Sequence, residues 1–539
     1  MKARTEDKPV SVVYLFLFVC HLVQPSTSTV CQSHCSCSGH VTLCVNYTSL
    51  PTSFSHSTQS LHFQASKFSI PQHAFQNYTS MEHLTISNGY ISFVDDRAFA
   101  DTPVLDYLQL ENNIFKVISA GVFDGLSRLT KLKLYNNNIN NIPAGMFRDL
   151  QGLQWMLFEH SPTSLQLQEN SFQGLQNLIV LSLGNNQLGV LNNPNILQGL
   201  DRLEELIIPN NQLTDITDGM FSFLTKLKTL DLSYNSLKSL NSEIFSPGLP
   251  GLETLKLRYN PLNDVPETAL NRLPGLKVLD LQATRIHLIE PSAFTGIPHL
   301  RYINLNDNSD MDIIPTVALN TLKHLTQLQL SNNRITALPA LAFQNLSSLT
   351  HLYISHTQLR SVDKDALRGL DNIQVLELSF NRLRSMPGGV FSPITITEET
   401  YINLHSNPWS CDCQLKDFIV WNRKHFNSSS MLQTATQGLL CQSPYKFKGM
   451  SFDDIPVENF TCASTDFAPA GTLSATSHSM KVAIYICVSI VVTVVLTVVA
   501  LVSICLYRRL RKKVSQHQQA RYNRLRLPMR LWDDVELQT

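Results

Sequence analysis

The sequence predicts an α/β solenoid: a horseshoe of stacked coils, with a parallel β-sheet on the concave face, a disulfide-bonded cap at each end and one transmembrane α-helix beyond. Three observations predict it. From Thr58 to about Trp409 the chain repeats itself every 23 to 26 residues. Each repeat opens with apolar and polar side chains in period-2 alternation, the mark of a short half-buried strand. Two clusters of four cysteines bracket the repeats, and a stretch of 26 residues without a formal charge follows them.

The unit Leu129 to Leu150, LTKLKLYNNNINNIPAGMFRDL, shows the rule: apolar residues at the first, fourth, sixth and eleventh places, and Asn137 at the ninth. With the two degenerate ends admitted there are 15 such units, the first starting at Thr58 and the last at Glu399. Leu132 and Leu134 point inward, while Lys131, Lys133 and Tyr135 point out onto the concave face. No unit can bury its own Leu side chains, so each needs its neighbours. The open face that results binds partners and seldom performs chemistry.

Asn holds the ninth place in 10 of the 15 units. There the chain turns, and backbone groups that face the interior need partners. An amide side chain offers both donor and acceptor, so these residues are read as structural. Thr284, Thr357 and Ser161 take the same place and do part of that work. Phe99, Phe123, Phe147, Phe221, Phe245, Phe294, Phe343 and Phe391 recur at the nineteenth place, with Leu270 and Leu367 as replacements. This spacing predicts a buried aromatic spine under the convex side.

At the N-terminus Lys2, Arg4 and Lys8 precede VSVVYLFLFVCHLV and the small residues Ser26 to Thr29, which reads as a secretory signal peptide over 1–29. The uncharged run Val482 to Tyr507 is long enough to span a bilayer. Arg508, Arg509, Arg511, Lys512 and Lys513 follow it and set the N-terminus outside. The expected product is a single-pass, type I protein of the cell membrane. Behind a signal peptide, Cys31, Cys35, Cys37, Cys44, Cys411, Cys413, Cys441 and Cys462 are expected in disulfides and not around zinc. Sequons at Asn46, Asn77, Asn345, Asn427 and Asn459 all precede the span. The organisation expected is an N-terminal cap over 30–57, repeats over 58–408, a C-terminal cap over 409–462, a Ser/Thr/Pro-containing stalk over 463–481, the span over 482–507 and a short basic tail over 508–539.

These motifs together resemble the extracellular leucine-rich repeat glycoproteins; the layout is similar to platelet glycoprotein V and its single-pass membrane relatives, and the repeat portion also resembles the regulatory subunit of carboxypeptidase N and Slit. NPWSCDCQLKDFIVWNRK, from Asn407 to Lys424, is similar to the C-terminal cap of that family. The resemblance implies pairs Cys31–Cys37, Cys35–Cys44, Cys411–Cys441 and Cys413–Cys462. Toll-like receptors share the ectodomain design but add a large signalling domain inside the cell. A tail of 32 residues holds no such domain, so any signal is expected to pass through a co-receptor or an adaptor.

The 42 basic and 42 acidic residues balance, but not locally. Val30 to Lys481 holds 30 basic and 37 acidic residues, which argues against nucleic acid as a partner. Trp155 and Leu157 on one strand, Val180 on the next and Ile207 on the one after are expected to form an exposed apolar patch, flanked by Tyr107, Tyr135, Glu159 and His160. Such a patch marks a partner site, and Trp and Tyr suit its centre. Tyr234, Arg258, Tyr259 and Tyr302 form a second candidate stripe. His351 and His356 share a strand face without a third ligand, so no metal site is expected. Cys505 beside the membrane is a candidate for acylation, and Tyr522 to Leu525 for a sorting signal. No hydrolase, metalloprotease, phosphate-loop or dinucleotide motif occurs, and no cofactor is expected. The function expected is non-catalytic recognition of a protein ligand at the cell surface, in adhesion or as a receptor or co-receptor, with a homo-oligomer as a further association. The alternative is a regulatory or scaffolding subunit that holds an enzyme or matrix component there.

Overall fold

Strands of three to five residues are too short to stand alone, and stacking in register is what makes them stable. The computed structural model describes residues 34–51, 57–397, 399–426 and 439–460. Among them, 17 strands form one sheet. The first two, Cys35–Ser38 and Val41–Val45, pair antiparallel. From Val41–Val45 onward the pairing is parallel, through Ser60–Gln64 and His83–Ser87 to Tyr401–Asn403. Leu132, Met156, Leu181, Leu206 and Leu230 are partners across five successive strands, each with 0% of its surface exposed. A slip of one residue would turn this whole row to solvent, so the alternation fixes the register.

The return path of each coil departs from the α/β expectation. It is built of turns and short 3-10 segments, and among the described residues of the repeats the one α-helix, Thr316–Leu319, has four residues. A coil of 23 to 26 residues has too little chain left after its strand and Asn turn for a longer helix. Three short parallel pairs lie on this path instead: Val190–Leu191 with Asp215–Ile216, Asp264–Val265 with Leu288–Ile289, and Ala337–Leu338 with Ser361–Val362.

The ninth-place amides hold successive coils together. Asn211 donates from Nδ2 to the carbonyl oxygens of Leu183 (2.8 Å) and Pro209 (3.1 Å), and its Oδ1 accepts the Asn186 N–H at 2.9 Å. Asn235 repeats the pattern one coil on, accepting from the Asn211 N–H at 2.9 Å and donating to Ile208 O at 2.9 Å. Ser161 substitutes by donating its hydroxyl to Ile139 O at 2.5 Å, and Thr284 by donating to Leu281 O at 2.8 Å. Gly89 stands at a ninth place because a Cβ there would lie 2.5 Å from Ser66 O and 2.8 Å from Asn113 Oδ1.

The aromatic spine is present and buried. Phe75, Phe99, Phe123, Phe147 and Phe172 stack in series with centroids 5.6, 6.4, 6.1 and 6.5 Å apart. Phe172 belongs to it although it falls one place late, because its unit carries an extra residue in the irregular SPTSLQLQENSF segment. Leu270 and Leu367 are buried at the same level.

Disulfides link Cys35 to Cys44 and Cys411 to Cys441, two of the pairs implied by the family resemblance. Cys37 and Cys413 are also disulfide-bonded, and their expected partners Cys31 and Cys462 lie outside the described residues. At the C-terminal end the helix Lys416–Phe426 covers the last coil. Trp421 stacks on Phe391 at 4.6 Å, and Phe418 packs 5.8 Å from Trp409. That closes the Leu core against water, as an open solenoid end requires. No helix among the described residues is long and apolar enough to cross a membrane. The expected signal peptide, stalk, span and tail, with Cys505, Tyr522 and the sequon at Asn427, lie outside the described residues.

Candidate ligand-binding face

The strand register decides which outward side chains meet. At the third place Tyr107, Lys131, Trp155, Val180 and Glu205 stand side by side on successive strands. At the fifth place Gln109, Lys133, Leu157, Ser182 and Ile207 do the same. Trp155 is half-buried on this face, so it does not fold away under the irregular segment that follows it. The Lys133 ammonium lies 5.3 Å from the Trp155 ring and 5.7 Å from that of Tyr107, within cation–π reach of both.

The four apolar residues are not all mutual neighbours. Trp155 and Val180 are direct partners. Ile207 lies in the fifth-place row, with Ser182 between it and Leu157. The Ser182 hydroxyl donates to Glu159, so a polar link runs through the patch. Counting strands and not places hid this: Val180 and Ile207 project from different rows.

Glu159 and His160 occupy the seventh and eighth places beside the patch. The His160 ring lies 4.5 Å from that of Tyr135, and its Nδ1 is 3.8 Å from Glu159 Oε2. Burial, with Glu111 beside it, pushes the Tyr107 phenol up to about 12. Burial, then Glu159 and Glu111, raise that of Tyr135. Both phenols stay protonated at neutral pH, and the Tyr107 hydroxyl donates to Gln109 Oε1.

In the second candidate set, Tyr234 and Tyr259 stack with centroids 4.4 Å apart and planes at 10°, and the Arg258 guanidinium lies 5.4 Å from the Tyr234 ring. Tyr302 does not join them. It stands at a third place, beside Val278 and Gln327, and burial followed by Asp280 and Tyr353 raises its pKa. Asp280 is itself raised, first by burial.

Tyr234 and Tyr259 have φ of 56° and 57°. Bulky residues in that left-handed region are strained, and such strain gathers at functional sites. The same geometry reveals a pair that the sequence reading passed over. His356 and Phe380 also have positive φ, are exposed, and stack at 4.3 Å. All four occupy eighth places, so a tally of aromatics at that place finds them. Of the sequons, Asn46, Asn77 and Asn345 are exposed; Asn459 closes a short 3-10 turn. Among the described residues no group of three or more His, Cys, Asp or Glu side chains is placed to hold a metal ion.

The signature described as "Leucine rich repeat" matches residues 60–115, 103–162, 201–262, 250–309 and 318–393, more than half of the chain. The chain belongs to the leucine-rich repeat family. It is similar to a leucine-rich repeat protein of Leptospira interrogans at 25% identity, with 70% of this chain and 90% of that one covered and a TM-score of 0.55. A chain in the Toll–Spatzle complex of Drosophila shares the fold at 16% identity, with 77% and 67% covered and a TM-score of 0.55. Leucine-rich repeat proteins are typically non-enzymatic interaction modules.

Proposed function

We propose that this chain is a non-catalytic cell-surface glycoprotein that binds a protein ligand through the outer face of its sheet, as an adhesion protein, receptor or co-receptor. The observation that carries this reading is the face around Trp155. There an indole, two phenols that hold their protons, a lysine shared between rings, and aliphatic side chains stand half-exposed on one rigid sheet. Aromatic anchors with a charged rim are what a protein partner uses as a hot spot. Family membership supports the reading, and so does the shared fold with a chain of the Toll–Spatzle complex, two proteins solved together. The signal-like N-terminus and the apolar run Val482 to Tyr507 support a type I placement, with the sequons on the outer side.

Two measurements test it together. A membrane-impermeant biotin reagent applied to intact cells is expected to label the full chain. Native purification of the full chain is then expected to recover a protein that salt or competing ectodomain releases. No surface labelling would remove the placement, and recovery of a fixed companion in equal amounts would favour a regulatory subunit instead.

A further inference from the structure

A cavity of about 340 Å³ opens beside the Trp155 face, at the turn edge of the sheet. Its wall is amide. Asn136, Asn185 and Asn210 reach it from eighth places, and Gln187 and Gln212 from tenth places. The His160 imidazole, Ser161 and Pro162 complete the rim, where the irregular unit departs from the usual Asn turn.

The hydrogen bonding around it is interrupted. Eighth-place amides here donate one bond to the preceding coil: Asn112 Nδ2 to Asn88 Oδ1 at 2.8 Å, and Asn136 Nδ2 to Asn112 Oδ1 at 2.7 Å. The chain resumes where Asn210 donates to Asn185. Between them stands His160, which neither extends nor closes it. Asn136 Oδ1 and Asn185 Nδ2 therefore have no hydrogen-bond partner among the described residues. His160 Nδ1 is buried and also without a hydrogen bond. Gln187 donates to Pro162 O at 3.0 Å, which leaves its Oε1 free, and the Gln212 side chain makes no bond among the described residues.

Local conformation explains the asparagines, since Asn tolerates positive φ. It does not explain the glutamines. Gln187 and Gln212 sit at φ of 53° and 58°, where glycine or asparagine would be less strained. What these five amides share is chemistry: planar, uncharged groups that between them leave acceptor oxygens on Asn136 and Gln187, a donor on Asn185 and both edges of Gln212 without a bond among the described residues.

We propose that this cavity binds a neutral saccharide. Sugar hydroxyls are at once donors and acceptors, and a vicinal pair matches the paired edges of an amide. The C–H face of a pyranose has a flat partner in the imidazole, which Tyr135 backs at 4.5 Å. The volume lies at the small end of ligand sites, which run from roughly 300 to 1,000 Å³, so it suits one or two sugar rings. No Lys, Arg, Asp or Glu lines the cavity. A sulfate, uronate or charged side chain would find no counter-charge there, and Glu159 behind the imidazole repels anions further. An extended peptide would need apolar pockets for alternate side chains, and only Pro162 and the ring edge offer them. The proposal stands apart from the protein-binding reading, although Tyr135 and His160 border both.

The test uses the purified full chain against immobilised chitobiose, mannotriose and N-acetyllactosamine, with a heparin tetrasaccharide and an uncharged peptide beside them. At least one neutral sugar is expected to bind and the heparin fragment to give background. Asn185→Asp and Gln212→Glu keep the side-chain shape and replace a donor with a charge. Each is expected to weaken binding about tenfold, the worth of one lost hydrogen bond. Gln374→Glu, which adds the same charge to an exposed site elsewhere, is expected to leave it unchanged. An oligomannose glycoprotein, assayed before and after its glycans are released, separates a protein-linked source from a free saccharide; binding to either supports the site. Background signal from all three neutral sugars, binding by the two cavity variants as strong as that of wild type, or capture of the peptide alone would overturn it.

Discussion

Asn211 works in two directions at once, giving two hydrogens to one pair of carbonyls and taking one from the preceding coil's backbone. Truncation to alanine strands buried polar groups on both sides. Asn211→Ala is expected to lower stability by about 3 kcal/mol, read as a fall in the denaturant midpoint. A loss below a tenth of that would show that water enters and substitutes. Asp280 tests the face in the opposite sense. Burial raises its pKa, and Asp231 adds to this against the Gln282 N–H, Arg258 and Lys256. A raised folded pKa means that the folded chain holds the proton more tightly than the unfolded one, so the contribution to stability is lost as pH rises through that folded value. Asp280→Asn keeps an acceptor for the Gln282 N–H. It is expected to raise the unfolding midpoint at neutral pH and to show no gain at pH well below the carboxylate range. At this scale the sequence disclosed the Asn ladder, because amide chemistry and place number suffice for it. It did not disclose the strained aromatics at eighth places, since residue identity is silent about φ until the turn is built.

The Phe spine and the strand rows are properties of elements. Phe123 is fully buried between Phe99 and Phe147. Phe123→Ala is expected to cost about 4 kcal/mol, the usual range for emptying such a site. Phe123→Leu is expected to cost less than half as much, because Leu270 and Leu367 already serve at that level. Equal losses for the two would mean that ring stacking, and not volume, holds the coils. Periodicity made the spine legible except at Phe172, where one extra residue shifted the count but not the packing. The patch around Trp155 was legible as a set of outward residues. Its internal order was not, because Ser182 separates Leu157 from Ile207 only once the register is known.

For the whole molecule, the coils share one sheet and one core, so the ends govern how it opens. Loss of the Cys411–Cys441 link, by paired serine substitution, is expected to cost about 3 kcal/mol from a loop of 30 residues. Amide exchange is expected to rise first in the C-terminal coils. A uniform rise would mean that the solenoid opens as one unit. Its repetitive fold was readable because every coil restates the same constraint. A partner's identity is not, because recognition rests on the few places where coils differ. Recognition at those places is open to proximity labelling from the full chain on living cells, comparing wild type with the Trp155→Ala, Ile207→Asp double variant. One dominant labelled partner is expected, which the double variant loses while still reaching the surface. An unchanged labelled set from a surface-expressed double variant would contradict it.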